Sequence, residues 1–151
     1  MIDLKLLANT QGIYDLSILD GALETINSFD TSLIMSFYGE ARADQSEIAV
    51  PQNQRGWWGN FYNNSPDPNY EYGGKLWLLY QARCNLETLN LGTSYLQDAF
   101  QWYIDDGYAS DVEVLGTMTS KTQIQYNITI YTPNNETINK SFPLWQSTGV
   151  S

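Results

Sequence analysis

Two stretches of the chain repeat apolar residues at the spacing of an amphipathic helix. The first follows Ser28, a capping residue type, carries Asp30 in its first turn and stops at Gly39. This pattern predicts a helix of about three turns, a usual length in globular proteins. Its apolar face would consist of Ile26, Phe29, Leu33, Ile34 and Phe37.

The second helical stretch is longer and begins after Asn85, another good capping residue. Gly107 supplies the left-handed position that commonly ends a helix. Just upstream, residues 75–83 are apolar nearly all round, so periodicity does not separate a helix from a buried strand; we favour a short helix. The buried face of the long helix would contain Leu89, Leu96, Ala99, Phe100, Tyr103 and Ile104.

The last third of the chain alternates apolar and polar residues, which is the period of half-buried antiparallel strands. These strands would occupy residues 111–142. Residues 13–19, followed by the turn signal Asp20-Gly21, predict a further short strand or hairpin. The sequence therefore predicts one α+β domain over residues 1–151, with helices packed on one face of a small, mainly antiparallel sheet.

Residues 40–74 show no sustained period and predict a long loop. Loops beyond about 12–15 residues are uncommon in compact domains and are usually functional or ordered by a partner. This loop is too aromatic for a solvated linker, so something should pack on it. Its aromatic residues are Trp57, Trp58, Phe61, Tyr62, Tyr70 and Tyr72.

The centre of the loop is the run Arg55-Gly56-Trp57-Trp58-Gly59-Asn60, in which glycines flank two adjacent tryptophans. The glycines favour a sharp turn that splays the two indoles. Tryptophan is enriched both in cores and at interface hot spots, so the pair is either a buried cluster or an interface anchor. An exposed sugar-stacking platform is the third alternative.

Three runs carry a resemblance that covers roughly residues 13 to 132. They are Ser28-Phe29-Asp30-Thr31-Ser32-Leu33-Ile34, the Arg55–Asn60 run, and Gly73-Gly74-Lys75-Leu76-Trp77-Leu78-Leu79. In this order the chain resembles the tail baseplate wedge proteins of Mu-like contractile phages. Two positions depart from the family pattern: Asn60 stands where Asp is usual, and Gly39-Glu40-Ala41-Arg42 is less basic than usual.

The resemblance implies a structural, non-enzymatic protein of the virion tail baseplate that is assembled in the host cytoplasm. Its expected partners are other baseplate wedge proteins and the first ring of the tail sheath, with the central spike or hub as a further candidate. The lone amphipathic helix beside the long loop would bundle with partner helices through Phe29, Leu33 and Phe37. Arg55, Trp57 and Trp58 would form a second contact.

The strand Gln123–Tyr131 carries a further expectation, because no charged residue lies between Lys121 and Glu136. Natural edge strands are usually guarded by charge, proline or a bulge. An unguarded strand is either central in its sheet or paired with another chain. The resemblance favours pairing with the sheath, through a strand that carries Gln123, Gln125, Asn127 and Thr129.

Charge and composition exclude several classes of partner. The formal net charge is −10 and the isoelectric point is near 4.1, so the field of the protein repels phosphate backbones and anionic lipid heads. No nucleic-acid or membrane partner is predicted, and no stretch approaches the roughly 20 apolar residues of a membrane span. The single Cys84 cannot form an intrachain disulfide, and we expect a soluble, unexported protein without a cofactor.

The chain has no histidine, which removes the commonest general base and metal ligand. Paired carboxylates remain the one enzymatic option, because glycoside hydrolysis needs only two acids flanking a sugar. The candidate pairs are Glu40 with Asp44, and Asp105 with Asp106. Adjacent helical residues diverge by about 100°, which disfavours the second pair. A glycan-binding or glycan-hydrolysing, lysozyme-like phage protein is the alternative function.

Overall fold

A computed structural model describes residues 2–10, 13–49, 53–62 and 71–145, with Phe61 and Tyr62 described by their backbone alone. Parts of the predicted loop, residues 50–52 and 63–70, lie outside the described residues.

The described residues before α1 contain six short strands: β1 (Ile2–Leu4), β2 (Leu6–Ala8), β3 (Tyr14–Leu16), β4 (Ile18–Leu19), β5 (Ala22–Leu23) and β6 (Thr25–Asn27). They form three antiparallel two-stranded ribbons, β1 with β6, β2 with β3, and β4 with β5. Asp20 and Gly21 turn between β4 and β5 with φ of 51° and 78°, the left-handed values of a tight hairpin turn. The predicted hairpin is therefore confirmed, whereas β1, β2 and β6 were not predicted.

Both predicted helices are present. Helix α1 spans Asp30–Tyr38, and the Ser28 hydroxyl accepts a hydrogen bond from the Asp30 amide at 3.1 Å. Helix α2 spans Leu86–Asp105, and the Asn85 side chain accepts from the Thr88 amide at 2.8 Å.

The connections are short 3₁₀ turns at Gln45–Glu47, Trp58–Tyr62 and Leu76–Leu79. The last of these is the short helix predicted in residues 75–83.

The C-terminal strands β7 (Asp111–Ser120), β8 (Gln123–Tyr131) and β9 (Thr137–Pro143) form one antiparallel sheet in the order β7-β8-β9. The sheet has an apolar inner face and a polar outer face, because side chains alternate along each strand. Val114 lies opposite Ile128, and Ile130 lies opposite Ile138, all on the inner face.

The core lies between this inner face and the two helices. Phe37 stacks on Phe142 with ring centroids 4.7 Å apart, which joins α1 to β9. Helix α2 packs on the sheet through residues that are fully buried, among them Leu96, Phe100 and Tyr103. Helices on one face of a small antiparallel sheet are the predicted α+β arrangement, which is confirmed.

The expectation that α1 bundles with partner helices is wrong for the residues chosen. Leu33 and Phe37 are 1% and 0% exposed, and the Phe29 ring packs 5.7 Å from that of Tyr103. The sequence pattern placed Leu33 and Phe37 on the apolar face correctly, but that face is already covered by α2 and β9 of the same chain. Ile26, predicted on the same helix face, lies in β6 instead.

The expectation that another chain completes the strand Gln123–Tyr131 is also wrong. β8 is the central strand, paired with β7 over Asp111–Ser120 and with β9 over Thr137–Pro143. Its lack of charge therefore reflects a central position, the first of the two alternatives. Gln123, Gln125, Asn127 and Thr129 keep their side chains on the outer face, but their backbone is already engaged on both sides.

Buried tyrosines predict loss of stability at alkaline pH. Burial raises the pKa of Tyr126 to about 12, and burial also raises the pKa of Tyr103 strongly. An unfolded tyrosine titrates near 10, so this stabilisation is complete below pH 10 and is lost as the pH rises through about 12. We expect a loss of roughly 1 kcal/mol per buried tyrosine per pH unit in that window. Denaturant unfolding across this range measures it, and Tyr126→Phe should flatten the slope; an unchanged slope contradicts the assignment.

Candidate functional site

The long loop is held against the helices by close backbone contacts. The Gly74 amide donates to the Gly39 carbonyl, and the Ala41 amide donates to the Gly74 carbonyl, each at 3.0 Å. A Cβ added at Gly74 would lie 2.8 Å from the Ala99 Cβ on α2, so only glycine allows this approach. The two described ends of the loop thus meet at the C-terminus of α1.

A second, smaller core lies beneath the loop. It consists of Ala43, Ile48 and Trp77, and Trp77 is 8% exposed. The Trp77 indole donates to the Ala41 carbonyl at 2.9 Å, which satisfies its only polar atom. The prediction that something packs on this aromatic loop is met in part by the chain itself.

Arg55 sits on top of this second core. Its guanidinium carbon lies 4.7 Å from the centre of the Trp77 ring, and its Nη1 contacts the Glu40 carboxylate at 2.6 Å. Arg55 and Gly56 both have positive φ, 53° and 102°. A positive φ is uncommon outside glycine, and such residues cluster at functional sites. Arg55 is therefore held by contacts within the chain and fixes the turn that follows it.

The two tryptophans after that turn project outward. Trp58 is 71% exposed and Trp57 is 43% exposed. The Trp57 ring lies 5.8 Å from that of Trp58 and 5.4 Å from that of Tyr72, in tilted pairs. A Cβ at Gly59 would overlap the Trp57 ring, so glycine is required beneath it. We call Arg55, Trp57, Trp58 and Tyr72 the tryptophan surface; in the described part of the chain neither tryptophan is buried.

Asn60 supports this surface through one acceptor oxygen. Its Oδ1 accepts a hydrogen bond from the Tyr72 amide at 3.1 Å, which closes the loop behind the tryptophans. Asn and Asp both supply such an oxygen. Asn60 therefore offers the Tyr72 amide the same kind of acceptor that the usual Asp would offer.

The candidate acid pair Glu40 and Asp44 is divided between two cations. Glu40 pairs with Arg55, whereas Asp44 contacts the Lys75 ammonium at 3.4 Å. Lys75 also bonds Glu47 at 2.7 Å, and this hydrogen bond holds the pKa of Glu47 below its ordinary value. These acids take part in a surface charge network beside a cleft of about 430 Å³. Of the candidate pair, Asp44 lines this cleft, whereas Glu40 is not among its lining residues.

The second candidate acid pair, Asp105 and Asp106, lies at the exposed end of α2. The Asp105 carboxylate accepts a hydrogen bond from the side-chain amide of Gln101 at 3.0 Å, on the exposed side of α2. Within the described residues, no group of three or more acidic or cysteine side chains is placed to hold a metal ion. None of the helices in that part of the chain has the length and apolar character needed to cross a membrane.

The outer face of the C-terminal sheet is polar and carries a ladder of side-chain hydrogen bonds. Thr129 donates to Asn139 at 2.8 Å, Ser141 donates to Asn127, and Tyr131 donates to Glu113 at 3.3 Å. Of the predicted β8 residues, Asn127 and Thr129 belong to this ladder, whereas Gln123 and Gln125 lie on the same face outside it. The structure thus divides the predicted site residues into three groups: the core of α1, the tryptophan surface and this outer face.

Sequence reasoning did not find the partners that build the tryptophan surface. Glu40, Tyr72 and Trp77 hold Arg55 and Trp57 in place, yet each is distant in sequence from the residue it supports. A signal was present: Glu40 follows the end of α1, and Trp77 follows the Gly73-Gly74 pair. These positions become informative only once Gly39 and Gly74 are known to be in contact, because that contact brings Glu40 and Trp77 to the same place.

The chain belongs to the phage protein GP46 family, whose pattern it matches over residues 29–137. It is 29% identical over 116 residues to the Mu-like prophage FluMu protein gp46 of Haemophilus influenzae, which covers 77% of each chain. It is 26% identical over 120 residues to the baseplate protein gp46 of Escherichia phage Mu, over 78% of this chain and 79% of that protein. The resemblance to Mu-like baseplate proteins is confirmed.

Proposed function

We propose that this chain is a structural, non-enzymatic subunit of a phage tail baseplate. Membership of the GP46 family, with a relative named as the baseplate protein of phage Mu, carries this proposal. Mass spectrometry of purified tail particles tests it. The chain should be present in a fixed ratio to other baseplate proteins, and its absence from intact tails would contradict the proposal.

Within the baseplate we propose that the subunit belongs to the wedge, where it links other wedge proteins to the first sheath ring. The tryptophan surface is the proposed wedge contact, because exposed tryptophans beside an arginine have the composition of an interface hot spot. No specific observation favours the glycan-active alternative, since Glu40 and Asp44 are bound to different cations.

The proposed sheath contact is the open edge of β7. Of the two edges of the sheet, β9 contains Lys140 and Pro143, and Lys140 is tied to Asp30 of α1 at 2.6 Å. β7 carries charge only in its first half, at Asp111 and Glu113. From Val114 to Thr117 it has neither charge nor proline, and its register with β8 stays regular until the irregularity between Met118 and Ser120. The stretch Val114–Thr117 therefore lacks the usual guards against strand addition.

Lysine substitutions on the edge strand β7 should block the proposed sheath contact. The same substitutions on the central strand β8 should not block it. Leu115 lies opposite Asn127, and Thr117 lies opposite Gln125, all on the outer face. Leu115→Lys with Thr117→Lys adds charge to the edge, whereas Gln125→Lys with Asn127→Lys adds it to the central strand. We expect sheath attachment, scored by electron microscopy of tails, to fall roughly tenfold or more with the β7 pair alone.

Both variant proteins should remain folded, because all four positions lie on the outer face of the sheet. Equal loss of sheath attachment in the two variants would show that a partner covers the whole outer face. Normal sheath attachment with the β7 pair would rule out strand addition at this edge.

A further inference from the structure

The three N-terminal ribbons meet at one point, formed by Lys5, Ser17 and Glu24. The Lys5 amide donates to the Glu24 carbonyl, the Ser17 amide to the Lys5 carbonyl, and the Glu24 amide to the Ser17 carbonyl, each at 2.9 Å. The Glu24 carboxylate accepts from Lys5 at 2.8 Å and from Ser17 at 2.7 Å. We call this arrangement, made by residues 2–10 and 13–27, the ribbon junction.

The ribbon junction buries almost nothing of its own. Ser17, at 6% exposed, is its only buried residue among those described. By contrast, half of the exposed large apolar side chains in the described chain lie here. They are Ile2, Leu4, Leu7, Ile13, Tyr14, Leu16, Ile18, Leu19 and Leu23.

Such an element is poorly stable by itself. A two-stranded ribbon is marginal in water unless an apolar face packs against something else. The described body offers little cover: Thr31 of α1 donates a hydrogen bond to the Leu4 carbonyl, but Ile18 and Leu19 remain 69% and 60% exposed. Many exposed apolar side chains within one short segment are typical of a site of interaction.

The charge of the ribbon junction indicates which kind of partner covers its apolar side chains. The ribbon junction contains Asp3, Asp15, Asp20 and Glu24 against Lys5 alone, and Lys5 is already paired with Glu24. A second copy would set acid against acid, in a chain of net charge −10, and an anionic lipid surface would be repelled in the same way. A partner with apolar side chains rimmed by lysine and arginine complements both features.

We infer that the ribbon junction docks onto a different protein of the tail, at an apolar groove rimmed by basic side chains. This inference rests on the proposed baseplate function, since it places the partner in the same particle. The match to the GP46 family begins at residue 29, so the junction precedes the part of the chain that the family pattern covers.

Site-specific photo-crosslinking in assembled tails tests this inference. A benzophenone amino acid replaces Leu19 in the ribbon junction or, as the matched control, Leu86 at the start of α2; the two leucines are 60% and 62% exposed. We expect a crosslink yield roughly tenfold higher from position 19. The crosslinked peptide should come from another tail protein and contain lysine or arginine beside apolar residues.

A charge variant gives an independent measurement. Asp15→Asn with Asp20→Asn removes two acids, and asparagine tolerates the positive φ of 51° at position 20. The crosslink from position 19 should weaken in this background, and its yield should fall at raised ionic strength in the unmodified chain. An unchanged yield in both cases contradicts a basic rim.

The outcomes separate this inference from the proposed function. A crosslink to a second copy or to lipid, or equal yields at positions 19 and 86, overturns the inference while the chain is still present in tails. Absence of the chain from tails overturns the proposed function and the inference together.

Discussion

Replacing Gly92 with alanine should destabilise the protein by about 2 kcal/mol, although alanine is the better helix former. Gly92 lies in the middle of α2, where the helix crosses Tyr126 of β8. A Cβ there would overlap the Tyr126 hydroxyl and lie 2.8 Å from its Cζ and 3.2 Å from Leu79 Cδ1. Tyr126 is 0% exposed, so its ring cannot swing out into solvent to relieve this contact.

The sign of this effect follows from comparing two magnitudes. Alanine gains about 1 kcal/mol over glycine in a helix interior. Overpacking costs about 1–3 kcal/mol. Displacing the Tyr126 hydroxyl also loses its hydrogen bond to the Leu89 carbonyl at 3.2 Å, which adds about 1 kcal/mol or more. The cost exceeds the gain.

Chemical denaturation of three variants measures this balance. Asn90→Ala, at an exposed position of the same helix, should leave stability unchanged or raise it by about 0.5 kcal/mol. In a Tyr126→Phe background, Gly92→Ala should cost less but not become neutral, because the Cζ contact at 2.8 Å remains. A Gly92→Ala protein as stable as the parent would show that α2 and β8 are less closely packed than described.

Gly92 also illustrates what the sequence could not predict. Both helices, the capping residue Asn85 and the C-terminal strands were predicted, since caps and periodicity are local properties. Ser28 was predicted as the other cap, but Phe29 occupies the N-cap position of α1 and Ser28 bonds the Asp30 amide. A glycine inside a helix predicts only a propensity cost. Its role as a point of close contact depends on a tyrosine distant in sequence.

The binding roles predicted for the residues of α1 and β8 were wrong for a related reason. An apolar helix face shows that something covers it, but not whether the cover belongs to the same chain; for Phe29, Leu33 and Phe37 it does. An uncharged strand is equally ambiguous, and Gln123–Tyr131 proved central. The ribbon junction was largely missed because strands of two or three residues are too short for a period to appear.

The tryptophan pair was ambiguous in the sequence because cores and interfaces favour the same residue. The structure separates the two by position. Trp77, which carries a satisfied indole at 8% exposure, belongs to a core, whereas Trp58 at 71% exposure does not. That Trp57 and Trp58 contact a partner protein is the proposal to test.

Replacing Trp57 and Trp58 with alanine should leave the chain folded and remove it from tail particles. Trp58→Ala should change the free energy of unfolding by about 0.5 kcal/mol or less, as is usual for a surface position. Trp57 also contacts Tyr72, so its replacement should cost somewhat more. At a hot spot the same truncations cost at least about 2 kcal/mol of binding, roughly a thirtyfold loss of affinity.

The experiment supplies each variant in trans to a phage that lacks the gene and measures its amount in purified tails by quantitative mass spectrometry. Tyr108→Ala is the matched control, because Tyr108 is 42% exposed and Trp57 is 43% exposed.

Arg55→Lys tests the contacts that hold the tryptophan surface in place. Lysine keeps the positive charge near Glu40 but loses the planar stacking on Trp77. The turn should therefore loosen, and incorporation into tails should fall by less than with the double alanine variant. Tails that incorporate the double alanine variant as well as the Tyr108→Ala control would remove the tryptophan surface from the list of baseplate contacts. Loss of incorporation together with loss of folding would instead assign Trp57 and Trp58 to stability, against their exposure.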